Sequence, residues 1–232
     1  MAGIKTAGGI FVYIKGKVKL NTYKYVVMFD LASKVTGVCL WDLQNQEPIQ
    51  TDVIKIDIST GLPAASLYEA LDKYFDAVRQ VVSLDDVLVY KEAMPTQLRG
   101  GSSTVQTFIA LARSHAILDL YLDQHDMDSY DVTGIYPAST HAYFKYLKGL
   151  GSADKVDKQM INEYVCERYG LQNLTLDESD AVFLAETFVK SKWNRDIDEL
   201  VREVKRHKKT LKSAHAINEC DNKIKLLLSL KN

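Results

Sequence analysis

Apolar positions in the first part of the chain follow two periods. "YKYVVMF" (23–29) is an almost continuous apolar run that ends on Asp30. "VTGVCLWDL" (35–43) and "DVIKIDI" (52–58) follow after short polar links. Runs of this length predict strands, and links this short predict a meander of neighbours. The period then changes: Leu67, Leu71, Tyr74, Phe75 and Val78 form one helical stripe within 65–82. "DDVLVYKEAMP" (85–95) returns to strand character and is stopped by Pro95. The polar loop "TQLRGGSST" (96–104) leads into a strongly apolar helix at 105–122, predicted to be buried on most of its face. "YDVTGIYP" (130–137) reads as a fifth strand.

Two further helices follow. One ends at Gly170, a residue suited to a helix C-terminus. The other opens near "DESD" (177–180), with acids in the first turn, where they favour the helix dipole. The order β-β-β-α-β-α-β predicts an α/β fold, a mixed five-stranded sheet flanked by helices. Residues 1–24 read as a basic arm or hairpin and 25–194 as the central domain. Residues 195–232 read as a helical extension, with Leu200, Val204, Leu211, Ile217, Ile224 and Leu228 as its apolar positions.

Composition narrows the classes. At 47% apolar, 232 residues suffice for a full core. Three scattered cysteines, Cys39, Cys166 and Cys220, argue against a disulfide scaffold or a zinc knuckle and suit a reducing, cytoplasmic setting. No apolar run approaches the ~20 residues a membrane helix needs. The net charge of −1 argues mildly against bulk attraction to nucleic acid. The distribution is uneven, with lysines and no acid in the first 24 residues and a basic "RHKKTLK" at 206–212.

Acids supply the candidate chemistry. Asp30 ends the first strand and Glu92 lies near the end of the fourth. Asp177 and Asp180, three apart at a helix start, point to one side. If the first and fourth strands are neighbours and that helix crosses their ends, four carboxylates meet. Without a counter-ion such a cluster opposes folding; oxygen-only ligands favour Mg²⁺ or Mn²⁺, and a pair of such ions suits phosphodiester hydrolysis. Each acid also has a structural reading. Asp30 could cap the turn to Ser33 or Lys34, Glu92 could be a strand-edge carboxylate, and the helix acids could serve the dipole alone.

Four segments together resemble the RuvC-like Holliday-junction resolvases of bacteria and their phages. "VVMFDLASKVTGVCLWD" looks like the family's first hairpin, and "VLVYKEAMP" like the strand bearing its glutamate. "GLGSADKVDKQMINEYV" is similar to its Gly-x-Gly-x-Ala-x-Lys segment, and "DESDAVFLAE" to its Asp-x-x-Asp-Ala helix start. Order and spacing agree over roughly residues 24 to 190. The resemblance implies a ribonuclease H-like fold. It also implies four metal-binding acids (Asp30, Glu92, Asp177 and Asp180) holding two Mg²⁺, and a catalytic lysine at Lys155. A homodimer that binds branched DNA and cuts four-way junctions, in a bacterial or phage-infected cytoplasm, completes what is implied.

Lys34, Arg99, Lys145, Lys148 and Lys158 are the candidate DNA contacts, Lys158 as a backbone-phosphate contact. A face of the 105–122 helix is the expected dimer surface. Two departures stand out. The family's Pro-Gly after the first aspartate is Leu31-Ala32 here, and the loop after Glu92 has no aromatic where bacterial members carry one. Competing readings are a broader branched-DNA, flap or RNA–DNA hybrid nuclease, and a junction-binding protein without turnover. An actin-like or sugar-kinase ATPase also places an aspartate after its first strand, but no glycine-rich phosphate loop follows Asp30.

Overall fold

The computed structural model describes residues 23–57, 63–92, 94, 105–127, 129–131, 137–190, 194–211 and 213–229. Strands β1 (Tyr25–Asp30), β2 (Val35–Asp42) and β3 (Glu47–Lys55) form the expected antiparallel meander. Helix α1 (Pro63–Val81) follows, then β4 (Val87–Lys91), α2 (Val105–Gln124) and the short β5 (Ser129–Asp131). Helices α3 (Pro137–Lys148), α4 (Lys158–Tyr169) and α5 (Leu176–Phe188) come next. The sheet order is β3-β2-β1-β4-β5, and β1–β4 and β4–β5 are parallel pairs.

This order explains the sequence pattern. β1 and β4 lie inside the sheet with helices on both faces, so every residue of β4 is buried and the run is not alternating. β3 is an edge strand, and its exposure alternates. It begins at Glu47, earlier than the apolar run predicts, because Pro48 is tolerated on an edge where its missing N–H leaves no ladder bond unmade. In the fifth strand Ser129–Asp131 pairs with Val89–Lys91, residues 132–136 of the predicted run lie outside the described residues, and α3 starts at Pro137.

One face of the sheet carries Val27, Phe29, Leu31, Val38 and Leu40 against Leu67, Leu71, Tyr74, Phe75 and Val78 of α1 and Leu118, Tyr121 and Leu122 of α2. Each such aliphatic side chain contributes about 1.5–3 kcal/mol by leaving water. Alternation sends Met28 and Asp30 to the opposite face. Trp41 is buried and meets Tyr169 of α4 edge-on at 5.5 Å, as packing rather than a base-stacking platform. Helix α2 is less buried than expected, since Val105, Ile109 and Leu120 are exposed. His115 is helical and buried, as its place in the apolar run suggests. No helix among the described residues is long and apolar enough to cross a membrane.

Lys24–Thr187 forms one compact unit. The other contains two helices, α6 (Asn194–Lys208) and α7 (Ala214–Ser229), where the sequence suggests one charged helical stretch. The chain breaks at Thr210, whose N–H and hydroxyl both donate to the His207 carbonyl. Lys208 then binds both carboxylate oxygens of Asp221 at 2.6 and 2.7 Å, tying α6 to α7.

Candidate active site

Asp30 closes β1, and Glu92 follows β4 by one residue. The Glu92 N–H donates to the Phe29 carbonyl at 3.0 Å, extending the parallel ladder by a step. Both acids therefore stand at the carboxyl ends of adjacent parallel strands, where open α/β sheets bind their ligands. Their carboxyls stand close enough for the Asp30 charge to act on Glu92. Burial is the main cause that raises both groups. The Asp180 charge adds most to Asp30, and the Asp30 charge adds most to Glu92. Asp30 is pushed up to about 6 and Glu92 to about 9, so Glu92 is the acid that keeps its proton at neutral pH.

The turn after Asp30 is secured by other residues. The Ala32 N–H donates to Thr36 Oγ1 at 3.3 Å, and Ser114 Oγ of α2 donates to the Ala32 carbonyl at 3.2 Å. This leaves the Asp30 carboxylate for Glu92 and the helix acids.

Helix α5 is delivered to the sheet by a glycine. Gly37 of β2 pairs directly with Asp30, so a side chain there would share its face. A Cβ on Gly37 would stand 1.9 Å from the Asp177 carbonyl oxygen and 3.3 Å from the Ala181 Cβ. Only a residue with no Cβ lets the first turn of α5 rest on the strand.

That first turn is closed by a reciprocal cap. The Glu178 N–H donates to Thr175 Oγ1 at 3.2 Å, and the Thr175 N–H donates to Glu178 Oε2 at 2.8 Å. Thr51 Oγ1 of β3 donates to the other Glu178 oxygen at 3.1 Å. Glu178 is thus engaged in holding the helix, while Asp177 and Asp180 are turned to the site.

The cation found among the acids is Lys158. Its Nζ lies 3.0 Å from Asp177 Oδ1 and 2.6 Å from Asp180 Oδ2. Burial raises Asp180, and the hydrogen bond from Lys158 works against that rise. For Lys158, burial acts against the charge, but hydrogen bonds to Asp180 and Asp177 outweigh it and hold the ammonium above its ordinary value. Its position follows from the start of α4. The Met160 N–H donates to the Asp157 side chain at 2.9 Å, which makes Lys158 the first helical residue. One turn on, Asn162 Nδ2 donates to Ser179 Oγ at 2.6 Å and to the Leu174 carbonyl at 3.1 Å, binding α4 to the start of α5. His141 of α3 also stands close enough for its positive form to favour the Asp180 charge.

The other basic residues have different places. Lys155 is exposed ahead of α4, without an ion pair among the described residues. Lys34 is exposed in the turn after β1. Lys145 Nζ donates to the Ser152 carbonyl at 2.7 Å, and Lys148 Nζ sits 4.9 Å over the Tyr164 ring. Arg99 lies outside the described residues, as does Trp193. The contact of Lys158 and the clearance at Gly37 escape sequence reasoning. The signals present were Asp157 followed three residues later by Met160, which marks the helix start, and a glycine within a strand.

As the side chains lie, no group of three or more His, Cys, Asp or Glu among the described residues stands ready to hold a metal ion. Lys158 bridges two of the four carboxylates itself. The donor set nonetheless fits a hard divalent cation. It offers carboxylate oxygens with no thiolate or imidazole between them, and two of the acids are raised by burial and mutual repulsion that such a cation would relieve.

No protein-family model matches this sequence, and no curated protein does. Solved structures do. The Thermus thermophilus RuvC in complex with a Holliday junction substrate matches at 11% identity with a TM-score of 0.50, over 72% of this chain and 96% of that one. The Thermus thermophilus RuvC structure alone matches at 13% identity and a TM-score of 0.49, over 70% of this chain and 92% of that one. The yeast mitochondrial Holliday junction resolvase matches at 14% and 0.45, over 73% and 78%. At this identity the first of these likenesses speaks to architecture alone: the chain has a RuvC-like fold.

Proposed function

We propose that the protein is a structure-selective endonuclease that resolves four-way DNA junctions by metal-dependent phosphodiester hydrolysis, acting as a homodimer. The observation that carries this reading is the convergence of Asp30, Glu92, Asp177 and Asp180 at the carboxyl edge of the two central parallel strands. The shared fold with a RuvC that binds a Holliday junction substrate supports it.

Asp30 is the central ligand in this reading, because it ends a strand held on both sides and is the least free to move. Glu92, Asp177 and Asp180 complete the set for two Mg²⁺, with Mn²⁺ as a substitute. Bound there, such ions lower the pKa of a coordinated water and neutralise charge on the phosphate and the leaving oxygen. The chain's own residues do the rest. Gly37 and the Thr175–Glu178 cap fix the distance of the helix acids from the sheet acids. Lys155, exposed beside the site segment, supplies positive charge toward the scissile phosphate. Lys34, Arg99, Lys145, Lys148 and Lys158 contribute salt-sensitive contacts to the DNA backbone. The exposed Val105 and Ile109 of α2 are the dimer face in this reading.

The test is cleavage of a synthetic four-way junction and a linear duplex of the same sequence, with Mg²⁺ and with chelator. Cutting of the junction alone, and only with metal, is the expected result; a protein that cuts neither is not a nuclease of this kind. Equal rates on junction, flap and duplex would favour the broader branched-DNA reading, which the loop without an aromatic after Glu92 makes the second choice.

A further inference from the structure

Lys158 reaches the acid cluster, while Lys155, which the family pattern marks as the site lysine, points to solvent. Its Nζ sits between Asp177 and Asp180 at hydrogen-bond distance from both, and its charge is also felt by Asp30 and Glu92. The ammonium thus does for the carboxylates what a bound cation does. It occupies the same oxygens that a divalent ion needs. The two cannot share those oxygens at full strength, because like charges at contact distance repel by several times the thermal energy.

The lysine is also able to leave. Its side chain remains 52% exposed and hangs on a four-carbon stem at the very start of α4, with solvent on one side. The backbone beneath it cannot leave with it, because Asp157 caps the helix and Asn162 ties it to α5. An ammonium released from the carboxylates therefore stays at the rim of the site, where a DNA phosphate would arrive.

Resting on the metal-dependent reading above, we propose that Lys158 is an internal cation that competes with divalent ions for Asp177 and Asp180. Metal entry releases it, and it then becomes free to pair with the phosphate backbone. The device holds the acids together without metal and makes metal binding and DNA contact mutually reinforcing.

The test uses the full chain and Mn²⁺ alone, with no DNA and no activity readout. Calorimetric titration of the wild type, Lys158→Met and Lys158→Arg gives three affinities. Methionine keeps the length and loses the charge, so Lys158→Met should bind Mn²⁺ about tenfold tighter or more, while Lys158→Arg stays near wild type. Equal or weaker binding by Lys158→Met overturns the competition and leaves the metal site standing. No Mn²⁺ binding by any of the three overturns the metal reading itself, and the competition with it.

A second measurement needs only wild-type protein and covers the case where the methionine variant does not fold. The rate of Lys158 acylation by an amine reagent is read by peptide mass spectrometry, with exposed Lys73 on α1 as the internal reference. Mn²⁺ should raise the Lys158 rate severalfold against Lys73. An unchanged ratio under saturating Mn²⁺ contradicts the release.

Discussion

The two halves of the acid cluster face the same difficulty and resolve it differently. On the sheet, Asp30 and Glu92 are partly buried side by side, both with raised affinity for a proton. On the helix, Asp177 and Asp180 are more open, with side chains 35% and 16% exposed, and are held by the Lys158 ammonium. A hydrogen-bonded ladder keeps the backbones of the sheet acids adjacent, so burial and repulsion there are eased by taking up a proton. Helix carboxylates sit at a first turn within reach of a long cationic side chain from the neighbouring helix. One half is rigid and titratable; the other is compensated and exchangeable. In the proposed function, admitting cations and then holding them in register would draw on both properties.

The largest effects come from removing a charge on either side. Glu92→Gln and Asp180→Asn should each lower single-turnover cleavage of a four-way junction by on the order of 10³-fold while the protein stays folded. A loss confined to one of them would mean that only one half of the cluster serves the reaction.

Next comes the contact that joins the halves. Gly37→Ala places a methyl where the Asp177 carbonyl now lies, so α5 must retreat from β1. The expected cost is about 100-fold in rate and about 1–3 kcal/mol in stability. An alanine variant with full activity would show that the spacing between sheet and helix acids is not set there.

The pH dependence of metal-free stability separates the halves more finely. Glu92 binds its proton more tightly folded than unfolded, with its value raised from 4.5 to about 9. Its contribution is therefore complete below pH 4.5 and is lost as the pH rises toward 9. The unfolding free energy from urea titrations in chelator should fall across this window, by a few kcal/mol in order of magnitude, and Glu92→Gln should flatten the fall. Lys158→Met should keep the fall and deepen it, because the lysine charge works against the rise of Asp30 and Glu92. The smallest expected effect is at the cap. Glu178→Ala removes the bonds its carboxylate accepts from Thr175 and Thr51, and should cost about 1 kcal/mol in thermal unfolding with only a modest loss of rate.

The sheet half was the more legible in the sequence. Apolar runs that end on acids mark strand ends; the adjacency of the first and fourth strands stood only as a condition, which the parallel pairing of β1 with β4 meets. Asp177 and Asp180 could be placed on one face by their spacing alone. What escaped prediction depends on tertiary detail. Whether Lys155 or Lys158 meets the acids turns on where α4 begins, and Asp157 sets that with a single side-chain bond. Gly37 falls inside a predicted strand, and its purpose shows only when α5 lies across it. The 195–228 region has one helical pattern throughout, yet Thr210 interrupts it by bonding back to His207.

The central claim is that Asp30 anchors a carboxylate site that cuts branched DNA with the help of a divalent cation. Parallel cleavage and gel-shift assays of wild type and Asp30→Asn on one labelled four-way junction test it most directly. The expected result is that the variant still binds the junction and no longer cuts it in Mg²⁺. Cutting by Asp30→Asn at the wild-type rate would contradict the account.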